Sequence, residues 1–337
     1  MLCAMTLRPA RVTVAPSWIV ALVLVLGGAH WGDTFLGQQR AADPPALETI
    51  QIRPNVYVIF GAAGNITAHV GTYGVILVDS GSAAMADKVV QAVKALTTQP
   101  IRYIINTSAD VEHVGGNEIV SLAGGQRPAF PVTRFEGQAT VLAHGNVLLR
   151  MSEDEQRYPS MGWPTATYTS RVRSMYLNDD AIQVIRQLGA LSDGDSIVLF
   201  RKADVIATGD ILDLRHFPMI DPARGGSIQG ELDALNHLLE LTVPAMPMVL
   251  EEGRTLLVPG HGRVSDYGEL VEYRDMLTVV RDNLQELVTR GLTLAQVKAA
   301  NPTAGYRKRW GVETGPWTTD TFVETIYNEL KSAKGKS

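Results

Sequence analysis

Apolar and polar positions in this chain follow two periods. Val56–Phe60, Thr67–Val70 and Val75–Asp79 are short β-rich runs separated by Gly61, Gly64, Gly71 and Gly74, which predicts a meander. Ala83–Leu96 then switches to helical spacing, and Tyr103–Asn106 (YIIN) reads as a buried strand ending in a polar loop. Ile197–Phe200 and Val205–Thr208 predict a hairpin that turns through Arg201–Asp204. Ser227–Leu241 sets Ile228, Leu232, Leu235, Leu238 and Leu239 along one helix face. Leu256–Pro259 is a further short strand. Glu269–Thr289 is a long amphipathic helix carrying Leu270, Tyr273, Leu277, Val280, Leu284 and Leu287. Thr293 to Gln296 has capping-box form and opens a short helix that stops near Pro302, and Thr321–Leu330 is the last helix. There is no internal repeat. The pattern is that of an α/β chain, whose polar strand-end loops are where a site is expected.

The N-terminus has a different character. Arg8 and Arg11 precede an apolar run from Trp18 to Leu26 that closes with Gly27, Gly28 and Ala29, the form of a secretory signal peptide. The run is shorter than the ~20 residues that span a bilayer. Residues 1–29 are therefore read as a cleaved signal and 30–47 as a linker, with an uncleaved membrane anchor as the alternative. The expected location is periplasmic or secreted, with no stable membrane span once the signal is removed.

Composition narrows the chemistry. With 337 residues, 45% apolar and 19% charged, the chain is too apolar for disorder and long enough for a sizeable core. Its single cysteine excludes a disulfide scaffold or a cysteine-rich zinc module, and Cys3 falls in the signal, so thiolate chemistry is excluded too. A net charge of −5 without a basic run argues against nucleic acid as a partner. Any metal must be held by carboxylates and some of seven histidines.

Four strand-end loops carry the unusual residues: Asp79-Ser80-Gly81, the stretch from Asn106 to Asn117 (NTSADVEHVGGN), Thr208-Gly209-Asp210 and Pro259-Gly260-His261-Gly262. Each sets a carboxylate or imidazole directly after a β-run, and strands of one sheet can bring such ends together. Carboxylates and histidines converging in this way suit a divalent ion. Taken singly, each loop reads as an ordinary turn or helix cap.

In order and spacing these loops resemble the metallo-β-lactamase superfamily. The resemblance runs from about Val56 to about Tyr267. It includes the Gly64-Asn65 opening, the LVDSG segment at residues 77–81, the Gly-Gly-Asn after the metal loop, TGD and PGHG. It is closest to the branch with an Ala-His-x-Asn-Val segment, here Ala143–Val147, and a Gly-Gly-Ser before the late helix, here Gly225–Ser227. The resemblance implies a four-layer αββα sandwich over residues 48–267, with 268–337 as a C-terminal helical extension. That extension packs over the sandwich, with Trp310–Trp317 bordering the cleft, or else makes a subunit contact.

The site departs from the family pattern. Where the family reads His-x-His-x-Asp-His, this chain has Ser108-Ala109-Asp110-Val111-Glu112-His113, and the family's third first-site histidine aligns with Leu191. Leucine ligates nothing and a serine hydroxyl is a poor zinc ligand, so the first metal site is expected to be lost. The second site's family positions fall on Glu112, His113, Asp210 and His261, with Asp110 near enough to be a fifth ligand or to hold a water. Such a set implies one divalent metal, zinc or else manganese or iron. Asp79 matches a position that orients the metal loop. His144 is read as a surface or packing residue, and His69, His216 and His237 as doing no chemistry. Trp163 and Trp310 are read as core.

The family reaction is hydrolysis, in which a bound metal acidifies a water and polarises the bond under attack. With one metal a carboxylate must take the proton, Asp110 or Asp210. The leading expectation is an exported single-metal hydrolase acting on a small ester, thioester, lactam or phosphodiester. The alternative is an inactive pseudoenzyme that serves as a binding module in the cell envelope.

Overall fold

The computed structural model describes residues 46–124, 137–245 and 253–334. The predicted signal peptide and most of the linker lie outside these. Two twisted sheets carry the chain. The first joins β1 (Glu48–Arg53), β2 (Val56–Ala62), β3 (Gly64–Gly71), β4 (Gly74–Val78), β5 (Ile101–Ile105), β6 (Thr140–His144) and β7 (Ala166–Tyr168), in that spatial order. Its first four strands pair antiparallel, as the glycine-punctuated meander predicts, and β4 to β7 pair parallel. The second sheet runs β12 (Leu256–His261), β11 (Val205–Asp213), β10 (Ser196–Phe200), β9 (Asp180–Arg186), β8 (Val172–Leu177). The predicted hairpin is β10–β11, antiparallel, while β11 and β12 are parallel.

Period-2 alternation sorts the side chains into layers. In β4, Ile76 and Val78 join the core between the sheets, whereas Val75 and Leu77 face outward. In β10 to β12, Val198, Phe200, Val205, Ala207 and Val258 fill the same inner core, and Ile197, Ile206 and Leu257 face the other way. Helices cover both outer faces. α1 (Ala86–Leu96), entered through a 3-10 turn at Ala83–Met85, sets Val89, Val90 and Val93 on the first sheet, and α3 (Asn117–Ala123) adds Val120. α5 (Ile228–Leu241) and α6 (Tyr267–Thr289) bury Leu232, Leu235, Leu238, Leu270, Leu277 and Leu284 against the second sheet. Full burial of each such side chain is worth ~1.5–3 kcal/mol, so the two apolar stripes hold these layers in register. The outcome is an αββα sandwich.

The C-terminal helices join that outer core. α7 (Leu294–Ala300) has the predicted Thr293/Gln296 capping box, α8 (Arg307–Trp310) buries Trp310, and α9 (Thr319–Lys334), longer at both ends than predicted, contributes Phe322 and Ile326. Two short helices complete the set: α2 (Val111–Val114) and α4 (Gly145–Glu153). Among the described residues, no helix is long and apolar enough to cross a membrane.

Candidate metal centre

The four loops meet at one edge of the sandwich, at the carboxyl ends of two parallel strand pairs, β4–β5 and β11–β12. Asp79 follows β4 directly, and the loop from Asn106 follows β5. Asp210 lies in β11 where its register with β12 shifts, and His261 ends β12. A shift in register of this kind lets a strand turn a side chain out of the ladder and into a site.

His113 is held from both sides. It sits in the single helical turn α2, and its carbonyl accepts from the Ser80 amide at 2.8 Å. Its Nδ1 donates to Asp79 Oδ2 at 2.8 Å, while the two Asp79 oxygens also accept from the Thr107 amide (2.8 Å) and hydroxyl (2.7 Å). Asp79 does this from a left-handed backbone, φ +64°, which an aspartate tolerates. With Nδ1 committed to a carboxylate, Nε2 faces the site, the arrangement that orients a ligating imidazole.

Three donors converge there. His113 Nε2 is 3.0 Å and His261 Nε2 3.3 Å from Asp210 Oδ1, and the three donor atoms lie within 4.8 Å of one another. Ligand atoms at 2.0–2.1 Å from a tetrahedral ion stand about 3.3 Å apart, so the group matches edges of such a shell. The two rings meet edge-to-face with centroids 5.7 Å apart. Two glycines make the close approach possible. A Cβ on Gly260 would collide with Asp210 Oδ1, and one on Gly64 would stand 2.8 Å from His113 Cε1. Asn65 locks the other loop in place, donating to the carbonyls of Pro259 and Gly262 at 2.8 Å each.

Electrostatics follow from this packing. Burial pushes the His113 imidazole down, but Asp210 and Asp79 outweigh it and hold the ring well above the usual histidine value. Burial likewise raises Asp210, and the His113 charge and hydrogen bond, with His261 and His216, overcome it and lower the carboxyl to about 2. Asp110 moves upward through burial and the neighbouring Asp210 charge.

The remaining predicted site residues are placed differently. Glu112 is half-exposed and reaches His261 Nε2 at 3.4 Å from the solvent side, outside the three-donor cluster. Asp110 also stands outside it; its Oδ2 accepts from Ser108 Oγ at 3.3 Å, and its amide donates back to that hydroxyl. Ser108 and Leu191 are buried, and the recess they line with Thr107, Asp195 and Asp210 has no room for a water molecule.

Beside the cluster lies a cleft of about 510 Å³, lined in part by Asp110, Asp210 and His261. Val312, Thr314, Pro316 and Trp317 wall it, as the segment after α8 was expected to. His216, set aside in the sequence, faces this cleft as well, its ring 6.2 Å from that of His261. Asp213 accepts from its Nδ1 at 3.0 Å and raises it. The Asp-x-x-His spacing just past TGD was the available signal. The other histidines serve packing: His69 stacks on Phe200, His144 caps α4, and His237 pairs with Gln187. Trp310 is core, and half-buried Trp163 packs beside Tyr158.

No family model matches this chain, nor does any curated protein. Solved structures do. A metallo-β-lactamase from Pontibacter korlensis aligns at TM-score 0.53 and 16% identity over 69% of this chain and 99% of its own. The stereoselective inverting sec-alkylsulfatase Pisa1 from Pseudomonas sp. aligns at 0.58 and 15%, over 84% of this chain and 50% of its own, so the chain spans half of that enzyme. The DIM-1 metallo-β-lactamase aligns at 0.52 and 13%, over 69% and 98%. The chain has the metallo-β-lactamase fold, with the C-terminal helices packed on it. It is thus similar to hydrolases of that fold, and the cluster of His113, Asp210 and His261 lies at its strand ends.

Proposed function

We propose that this protein is an exported, single-metal hydrolase of a small ester, thioester, lactam or phosphodiester. The observation that carries the reading is the convergence of His113, Asp210 and His261 at tetrahedral spacing, with Asp79 presetting the His113 tautomer. Those three residues would hold zinc, or manganese or iron, with Glu112 able to swing in beside His261 as a fourth. When bound, the ion would supply Lewis acidity toward a water and toward the bond being broken. The chain's own groups do the rest. Asp210 is committed to the cluster, so Asp110, which lines the cleft but stands outside that group, is the proton acceptor. The wall from Val312 to Trp317 restricts solvent and orients the substrate. The replacement of first-site positions by Ser108, Asp110 and Leu191, and the recess without room for water that Ser108 and Leu191 line, support one metal rather than two.

That same closed recess favours a second reading, an inactive binding module in the cell envelope. Metal analysis of purified protein and of His261→Ala, together with an ester, thioester, lactam and phosphodiester panel, separates them. The hydrolase reading expects near-stoichiometric metal lost in His261→Ala, and turnover of a panel member restored by added zinc, manganese or iron. Full metal retention in the variant, or no turnover with any of the three ions, refutes it.

A further inference from the structure

Among the described residues four strands stand at sheet edges, and three of them are blunted against pairing with another chain. β1 carries a bulge between Gln51 and Arg53, and the Arg53 side chain bends back to the carbonyls of Ala203 (3.0 Å) and Arg254 (2.6 Å). β7 is three residues long. β12 is closed on its outer side by an antiparallel bridge, in which Leu257 and Ser265 exchange amide-to-carbonyl bonds at 2.8–2.9 Å. β8 has none of these devices. Its six residues hold an unbroken register with β9 and include no proline.

Pairing with β9 decides which groups of β8 face the open side. The Arg186 amide donates to the Arg171 carbonyl at 2.9 Å, so the odd-numbered residues from Arg171 to Leu177 carry the ladder. The N–H and C=O groups of Val172, Ser174 and Tyr176 then point away from the sheet. A side-chain bond reaches that row at one end, from Ser170 Oγ to the Val172 carbonyl at 2.9 Å. Met175 and Leu177 pack inward, which turns the Val172 and Tyr176 side chains to the outer face, where they are 40% and 70% exposed.

Charge along this strand is self-complementary. Arg171 and Arg173, both exposed, stand at its start and form no ion pair among the described residues. Exposed Asp179 stands in the two-residue turn after its end, beside Lys202 and the Tyr176 hydroxyl, where water screens the pair. Antiparallel pairing of two copies about Met175 sets Arg171 of each opposite Asp179 of the other, with Arg173 on the diagonal. It also sets Tyr176 opposite Ser174 and diagonal to Val172 of the second copy, within reach of an aromatic ring. We infer that β8 is a dimer interface, along which two copies pair edge to edge and join their five-stranded sheets across a two-fold axis. The inference does not depend on the metal reading.

Sedimentation equilibrium and amide hydrogen exchange on the full chain test the inference. The parent is expected to dimerise in the micromolar range, and the Ser174 and Tyr176 amides to exchange at least tenfold more slowly once it has. Ser174→Pro removes an outward N–H and leaves the β9 ladder whole, so it should fold and sediment as a monomer. Arg171→Asp/Arg173→Asp weakens association by about tenfold, as does Asp179→Arg, and combining all three restores it. Circular dichroism melts establish that each variant is folded. A monomeric parent, a dimer whose Ser174 and Tyr176 amides exchange at the monomer rate, or a folded Ser174→Pro variant that still dimerises overturns the inference. The charge exchange reads the same interface with the outward N–H row left intact, and a triple variant that associates no more tightly than either reversal overturns it too.

Discussion

Asp79→Asn isolates the hydrogen bond that presets His113. The buried carboxylate accepts three hydrogen bonds, from the Thr107 amide and hydroxyl and from His113 Nδ1–H, at 2.7–2.8 Å. Asparagine tolerates the left-handed backbone at φ +64°, so the substitution leaves the turn intact. Its single carbonyl oxygen goes to the Thr107 amide, which has no other way to be satisfied. The amide NH2 then faces Thr107 Oγ1, which can accept instead, and His113 Nδ1, which must. That reverses the imidazole tautomer and turns an N–H from Nε2 toward Asp210, where a lone pair is needed. Loss of such an orienting partner typically costs about 10–100-fold in metal affinity, or roughly 1.4–2.8 kcal/mol. Competition of purified protein against a chromophoric zinc chelator measures it directly. Asp79→Ala removes both acceptor oxygens, leaves three buried donors without them and also strains the backbone, so urea unfolding should show a loss of about 3–5 kcal/mol. A zinc dissociation constant within twofold of the parent for Asp79→Asn would refute the tautomer argument.

Three further outcomes are expected. Gly260→Ala sets a methyl against Asp210 Oδ1, so a folded variant should lose most of its bound metal by elemental analysis; full occupancy would show that the loop yields. Burial raises the Asp195 carboxyl from its ordinary 3.8 to about 7, despite hydrogen bonds from the Ser192 amide and hydroxyl. Its folded-state value lies above the unfolded one, so this contribution is present below pH 3.8 and is lost as pH rises through 7. The interval is worth roughly 4 kcal/mol in metal-free protein, and Asp195→Asn should flatten the urea-midpoint profile between pH 4 and 8; a profile parallel to the parent's counts against it. Glu231 is fully buried in α5, and neither carboxyl oxygen has a hydrogen-bond partner among the described residues. Glu231→Met keeps the volume and removes that desolvation, so it should stabilise by about 1–3 kcal/mol, and a lower unfolding midpoint would contradict this.

The elements legible in the sequence are those with a strong period. The β2–β4 meander, α1, the β10–β11 hairpin, α5 and α6 emerge near their predicted limits because each buries a regular apolar stripe. β8 was missed for the converse reason. It is an edge strand with Arg173, Ser174 and Tyr176 exposed, and pairing with β9 rather than any pattern of its own makes it a strand. The Asn106–Asn117 stretch read as one loop, yet Val111–Val114 forms a helical turn too short to show a period.

The sequence by itself determined the layers and the residue types at the strand ends, since both depend on local spacing along the chain. The structure decided which of those residues share a site. It joined His113, Asp210 and His261, kept Asp110 and Glu112 apart from that group, and admitted His216 and Trp317 to the cleft. The reason is physical. Such contacts join positions far apart along the chain, His113 and Asp210 being separated by 97 residues, and they are set by register shifts, glycine clearances and buried carboxylates that leave no periodic trace in the chain.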